Sequence, residues 1–200
     1  MLPSPLLALA FNCILGSCAI ILAAVAWARV NSLSLPLPIS LPALNVLVPI
    51  LTAFTWPLAR RLLARVQKNT LRLVLPYRAH ASTFVPFVLL VLSLVYAAPS
   101  DLRSCAADRH WLRMFENKNE ISIRNIQTSL QCCGLNSMRD RAWPFPSRNV
   151  DAGTCERTQG YTIACGGLWR QEEVFTAALT AVASILNWIM IVRNLWILLC

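Results

Sequence analysis

Four apolar runs without a charged residue divide the chain: 6–28, 39–59, 81–99 and 174–192. They are 23, 21, 19 and 19 residues long. At about 1.5 Å of rise per residue, roughly 20 helical residues cross a hydrocarbon core about 30 Å thick. The pattern predicts four transmembrane helices. Pro42, Pro49 and Pro57 interrupt the second run. Inside a membrane, neighbouring helices re-satisfy the backbone groups that such prolines free. Pro86 is expected in the first turns of the third helix, where a missing N–H costs little. No basic stretch precedes the first run, and it exceeds a usual signal-peptide core, so a retained helix is expected.

The polar islands between the runs set an orientation. Segment 60–80 carries Arg60, Arg61, Arg65, Lys68, Arg72 and Arg78 and no acid. Short loops rich in Lys and Arg stay in the cytoplasm. Both termini, including the tail 193–200, are then cytoplasmic, and the short loop 29–38 and the long loop 100–173 face the outside or a lumen. The long loop holds five of the eight cysteines. Disulfides persist in oxidising compartments, so the cysteines and the charges point independently to the same side. The expected architecture is an all-α integral membrane protein, with four transmembrane helices and a small disulfide-stapled extracellular domain between helices three and four.

The long loop reads as two helical pieces followed by an irregular segment. Asp101 can cap the first piece, with Leu102, Ala106, Leu112 and Phe115 as its apolar face. The second runs from about 119 to 133, with Ile123, Ile126 and Leu130 at helical spacing. Gly134 is its expected terminator. Cys132 and Cys133, adjacent on a helix end, point about 100° apart. They can reach two different downstream segments, where Cys155 and Cys165 are available. Four cysteines allow three connectivities, and setting aside the vicinal bond leaves two. Each bridge is worth on the order of 3 kcal/mol in the chain-entropy model. The stretch 135–170 has little periodicity and needs such staples.

Composition supports this picture. The chain is 56% hydrophobic and 14% charged, with a mean hydropathy of +0.55, against about 25% charged in an average soluble domain. Disorder is excluded, because it requires low hydrophobicity. The net charge of +9 is mostly the 60–78 cluster. Beside a membrane, that cluster suits anionic lipid headgroups, at about 1 kcal/mol per basic residue, rather than nucleic acid. No N-glycosylation sequon occurs.

Catalytic chemistry is not indicated. No nucleophile–base pair or carboxylate pair lies in any of the four runs. His80 and His110 fall on opposite sides of the expected membrane. No CxxC occurs, so neither a metal nor another cofactor is expected. A small channel or transporter subunit is the alternative reading, although such proteins carry intramembrane ionisable residues and these runs have none. A claudin-like protein would place its large cysteine loop between helices one and two.

The whole arrangement resembles a tetraspanin: four helices, a short first outer loop, and a long second one with Cys132-Cys133-Gly134 and two later cysteines. The resemblance covers nearly the whole chain. Ile126-Gln127, Gln131 through Gly134 and the run Asp140 to Pro146 are similar to the filamentous-fungal branch of that family. The family pattern implies pairing of Cys132 with Cys165 and of Cys133 with Cys155. It implies a non-catalytic scaffold that gathers other membrane proteins, and copies of itself, into membrane microdomains. It also implies trafficking and adhesion roles and, from the fungal relatives, polarised growth or infection-related morphogenesis. The chain departs from the family in its long basic inner loop and in having no Asp or Glu within the core of a transmembrane helix. Gly153-Thr154-Cys155 also replaces the usual proline-containing signal.

Remaining candidates are local. Asn12, Asn45 and Asn187 are intramembrane amides that must find partners, worth about 0.6–2 kcal/mol each. Family members commonly place an Asn near position 12. Gly16, Ser17, Ala19, Ala23 and Ala24 permit close helix approach, as do Ala177, Ala178, Ala181 and Ser184. Cys200, Cys13 and Cys18 are candidate palmitoylation sites, and Cys105 is the odd outer thiol. Trp27, Trp56, Trp188 and Trp196 suit membrane interfaces. Trp143 and Phe145, in the segment 138–145, are candidate partner contacts, with inward packing of Trp143 as the competing reading. A sterol between the helices is a further candidate ligand.

Overall fold

The computed structural model describes residues 5–63, 68–98, 101–148 and 150–199, with side chains described for 7, 9–55, 58, 82–98, 103–148 and 150–197. Among these residues the chain is helical and contains no strand. The elements are α1 (Pro5–Ser32), α2 (Ser40–Leu63), α3 (Lys68–Ala97), α4 (Asp101–Glu116), α5 (Glu120–Leu130), α6 (Thr154–Gln159) and α7 (Cys165–Leu199). An isolated bridge between Ser147 and Val150 is the nearest approach to a sheet. Two stretches are long and apolar enough to cross a membrane, Leu9–Ser32 and Cys165–Ile197. The other two apolar stretches, Ser40–Thr55 and Ser82–Ala97, are shorter.

The chain divides into two compact units. One comprises Met1–Trp27, Ile39–Val95 and Ala178–Cys200, the other Ala28–Pro38 and Tyr96–Ala177. In the first unit the helices outrun the apolar segments. The expected basic loop 60–80 is largely helix, because α2 continues to Leu63 and α3 starts at Lys68. Arg60, Arg61, Arg72 and Arg78 therefore lie in helices. Arg65 is outside the described residues, as are the side chains of the rest of this cluster. Arg and Lys are good helix formers, so charge ends an apolar run without ending a helix. Pro86 is consequently inside α3, not in its first turns. Pro42 and Pro49 likewise sit within α2.

Packing in this unit places small and polar groups inside. Ala19, Ala23, Asn45, Ser93, Ala181, Ser184 and Asn187 are buried. Gly16 is buried too, whereas Ser17, Ala24 and Ala178 are exposed. Ile14, Ile21, Phe54, Phe84, Leu94 and Trp196 are exposed, Phe54 by 73%.

The second unit packs the opposite way. Its core gathers Val30, Leu33, Leu35 and Leu37 with Trp111, Met114, Ile123, Ile126, Leu135 and Trp169, together with Cys132 and Cys165. Ile123 and Ile126 are fully buried and Leu130 partly so, as their spacing predicts. The apolar face of α4 is different from the expected one. Trp111 and Met114 are buried, Phe115 is half-buried, and Ala106 and Leu112 are exposed. The Leu102 side chain is outside the described residues. A tryptophan buries far more surface than a leucine, so Trp111 sets the helix rotation.

Candidate functional site

Helix α5 delivers the cysteine pair. Its start is capped by Asn119, whose side chain accepts from Ser122 N at 3.2 Å. It ends at Leu130, three residues earlier than the pattern predicts. The left-handed cap is Gln131, with φ 51° and its N–H bonded to Gln127 O. Asparagine and glycine usually fill such a position. Cys132 and Cys133 thus lie just beyond the helix rather than on its last turn.

Gly134 makes a different turn, at φ +62°. A Cβ there would lie 2.2 Å from Ser137 O, so no larger residue fits. Backbone bonds from Cys133 N to Ile163 O, Cys165 N to Gly134 O and Gly166 N to Leu135 O bring the returning chain alongside. The two cysteines then diverge, Cys132 to Cys165 and Cys133 to Cys155. Of the two connectivities that spacing left open, this is the one the family resemblance implies. Cys165 is the first residue of α7 and Cys155 belongs to α6. One bond therefore anchors the turn to the long helix, while the other holds the irregular segment.

Gln127 sits under this turn with no exposed surface. Its amide satisfies both ends when the oxygen accepts from Gly134 N at 3.1 Å and the nitrogen donates to Trp143 O at 3.1 Å. Trp169 Nε1 donates to Leu33 O at 2.9 Å and Trp111 Nε1 to Arg141 O at 3.1 Å. The two indoles meet edge to face at 5.5 Å. His110 stacks on Trp169, and its Nε2 donates to Ser34 O at 3.1 Å. Burial, and then the nearby Arg113 charge, hold the His110 pKa below its ordinary value, against the Ser34 carbonyl, which raises it. Next to the turn, Arg141 grips Asp140 through Nε and Nη2, at 2.7 and 2.8 Å. This contact, chiefly, lowers the Asp140 pKa.

The candidate contact residues face the unit's own core. Trp143 and Phe145 are half-buried against it, with Arg124 over the Trp143 ring at 5.2 Å and Phe115 edge-on to Phe145. Ile121 and Ile163 are among the exposed apolar residues of this unit instead. Close to the same core, Arg29 pairs with Glu172 and stacks on Phe175. Glu173, almost fully buried, meets Arg170 at 2.9 Å and Arg103 at 3.8 Å.

The first unit holds two amide clusters. Asn45 Oδ1 accepts from Ser184 Oγ at 2.9 Å, while Asn187 Nδ2 donates to Asn45 O at 3.1 Å. Asn187 Oδ1 has no hydrogen-bond partner among the described residues. In the other cluster, Asn12 Nδ2 donates to Asn194 Oδ1 at 2.7 Å and Arg193 Nη1 donates to Asn12 Oδ1 at 3.2 Å. The spacing of the apolar runs marked Asn12, Asn45 and Asn187 but not Asn194, which falls beyond the fourth run. Cys13, Cys18 and Cys105 are free and exposed; Cys200 lies outside the described residues. Among the described residues no group of three His, Cys, Asp or Glu side chains is placed to hold a metal.

No family model matches the chain, and neither a curated protein nor a solved structure does.

Proposed function

We propose that the protein is a tetraspanin-like, non-catalytic membrane scaffold. In this reading the four apolar helical stretches cross the bilayer, both termini are cytoplasmic, and the lobe of 100–173 lies outside. The lobe and the helices bind other membrane proteins laterally and gather them into microdomains. The basic residues at 60–78 rest against anionic headgroups.

One observation carries the reading. The Cys132-Cys133-Gly134 turn sends two disulfides to separate downstream segments, in a chain whose other unit turns apolar side chains outward and amides inward. Exposed leucine, isoleucine and phenylalanine on every helix of a unit suit lipid tails as solvent. Buried amides suit helix contacts that water does not reach.

The test begins with Cys105, exposed on α4. A membrane-impermeant maleimide applied to intact cells is expected to label it, and a Cys105→Ser variant to lose that signal. Labelling only after permeabilisation overturns the topology. Amine-reactive cross-linking in intact cells is then expected to join the chain to a small, reproducible set of membrane proteins. A chain that stays alone, and that passes ions when reconstituted in liposomes, would instead be a channel.

A further inference from the structure

The first unit contains a cavity of ≈ 380 Å³ between α1, α2 and α7, within the roughly 300–1,000 Å³ typical of small-molecule sites. Most of its wall is apolar, with Leu9, Ile20, Ile50, Phe54 and Met190 among the lining residues. Thr52 also lines it, but its hydroxyl is committed to Val48 O at 2.6 Å. The amide groups of the wall come from Asn12 and Asn194, bonded to each other. A cation adjoins this pair: Arg193 Nη1 donates to Asn12 Oδ1.

Among the described residues Arg193 has no ion-pair partner. Its guanidinium lies 4.2 Å from the centre of the Phe11 ring, and the side chain is part-buried. The sequence places no Asp or Glu anywhere in this unit, because all nine acids fall between 101 and 173. An amide oxygen and an aromatic face lower the cost of holding the cation but do not neutralise it. A guanidinium has five N–H donors in a planar fork that matches carboxylate and phosphate oxygens.

We propose that this cavity binds a single-chain lipid with an anionic head, a carboxylate or a phosphate, whose chain fills the apolar part and whose head meets Arg193 beside Asn12 and Asn194. A free fatty acid and a lysophospholipid share this chemistry. The inference requires only the helical unit and is independent of the scaffold role, so either can fail without the other.

The test uses the full chain purified in a neutral detergent. One probe is a 16-carbon fatty acid carrying a diazirine on its chain; the other is the matching fatty alcohol. The acid is expected to cross-link to the lining segments of α1 and α2 about tenfold more than the alcohol, the scale of a charge-assisted contact. Arg193→Gln is expected to lower acid labelling about tenfold and leave the alcohol unchanged, with Arg193→Lys, which keeps the charge but loses the planar fork, falling between the two. Ala53→Trp, in the exposed part of the wall, is expected to abolish labelling by both. Competition by unlabelled palmitate or by lysophosphatidic acid, whichever acts at the lower concentration, identifies the head. Equal labelling by acid and alcohol, as a neutral sterol-type site would give, overturns the proposal. Insensitivity to Arg193→Gln, or cross-links outside the lining, also overturns it.

Discussion

In the second unit the largest side chains point inward: Trp111 and Trp169 are 0% and 2% exposed, and Ile123 and Ile126 are sealed beneath them. In the first unit the inward positions go to Ala19, Ala23, Asn45, Ser184 and Asn187, while Ile14, Phe54 and Leu92 point out. On the membrane reading proposed above, both arrangements follow the same rule, that a group lies where its surroundings suit it, applied to different surroundings. Where water is outside, burying a large apolar side chain gains about 1.5–3 kcal/mol. Where the outside is itself apolar, burying leucine gains little. Close packing of small residues and amide bonds between helices then decide what goes inside. The lobe adds two covalent staples to a stretch, 135–164, whose described residues hold one short helix.

Substitutions can break this contrast. The largest effect is expected from Trp169→Ala, about 3–5 kcal/mol off the stability of the lobe, since it also strands the Leu33 carbonyl. Thermal unfolding followed by loss of protease resistance in 100–173 would measure it; a shift of under 1 kcal/mol would mean that the indole is not central. Replacing Cys132 and Cys165 together by alanine opens a 33-residue separation, and the chain-entropy account expects a loss of about 3–4 kcal/mol. Guanidinium titration of the reconstituted chain is the readout.

The third change compares the two surfaces directly. Aspartate in place of Ile14 or Leu92 is expected to cost about 3 kcal/mol if lipid covers those positions. Aspartate in place of Ile121, which is likewise exposed, is expected to stay within about 0.5 kcal/mol. Equal, small effects in a membrane-insertion assay would erase the distinction between the units. Asn45→Ala should remove about 1–2 kcal/mol from helix association, seen as faster dissociation in a steric-trap measurement, with Asn187→Ala not adding to it fully because the two amides share a contact.

The smallest effect is one of pH. His110 has a folded pKa below its ordinary value, so the folded lobe binds this proton less readily than the unfolded chain. Stability is unaffected above the ordinary histidine pKa of about 6.5. It falls as pH drops through that value towards the folded pKa. His110→Phe should flatten that part of a stability–pH curve. Asp140 acts lower on the scale: its depressed pKa contributes stability present above the ordinary carboxylate value and lost as pH falls through the folded one.

Much of the helical organisation was legible because its signals are local. Ile123, Ile126 and Leu130 recur at helical spacing within one element, and the apolar runs need no partner to be recognised. The boundaries were less legible. A charge such as Arg60 marks a change of polarity, but backbone hydrogen bonding passes through it, so α2 and α3 extend into the basic segment. Gly134 looked like a helix terminator, and a glycine is indeed required there, but the helix had already stopped at Gln131. Trp111 and Trp169 stand 58 positions apart in the chain, and no periodicity within either segment announces that their rings meet.

The sequence by itself determined the helical pattern, the confinement of its charges and most of its cysteines to a few segments, and that Cys132 and Cys133 can reach separate partners. These follow from composition and spacing along a chain whose neighbours are covalently given. Only the tertiary structure decided which downstream cysteine each one takes, that Gln127 fills the space beneath their turn, and that Asn12 meets Asn194 and Arg193. The two disulfides and the Asn12 contacts join residues 22 to 182 positions apart. They depend on the direction in which each side chain leaves its helix, and that is set by packing in three dimensions.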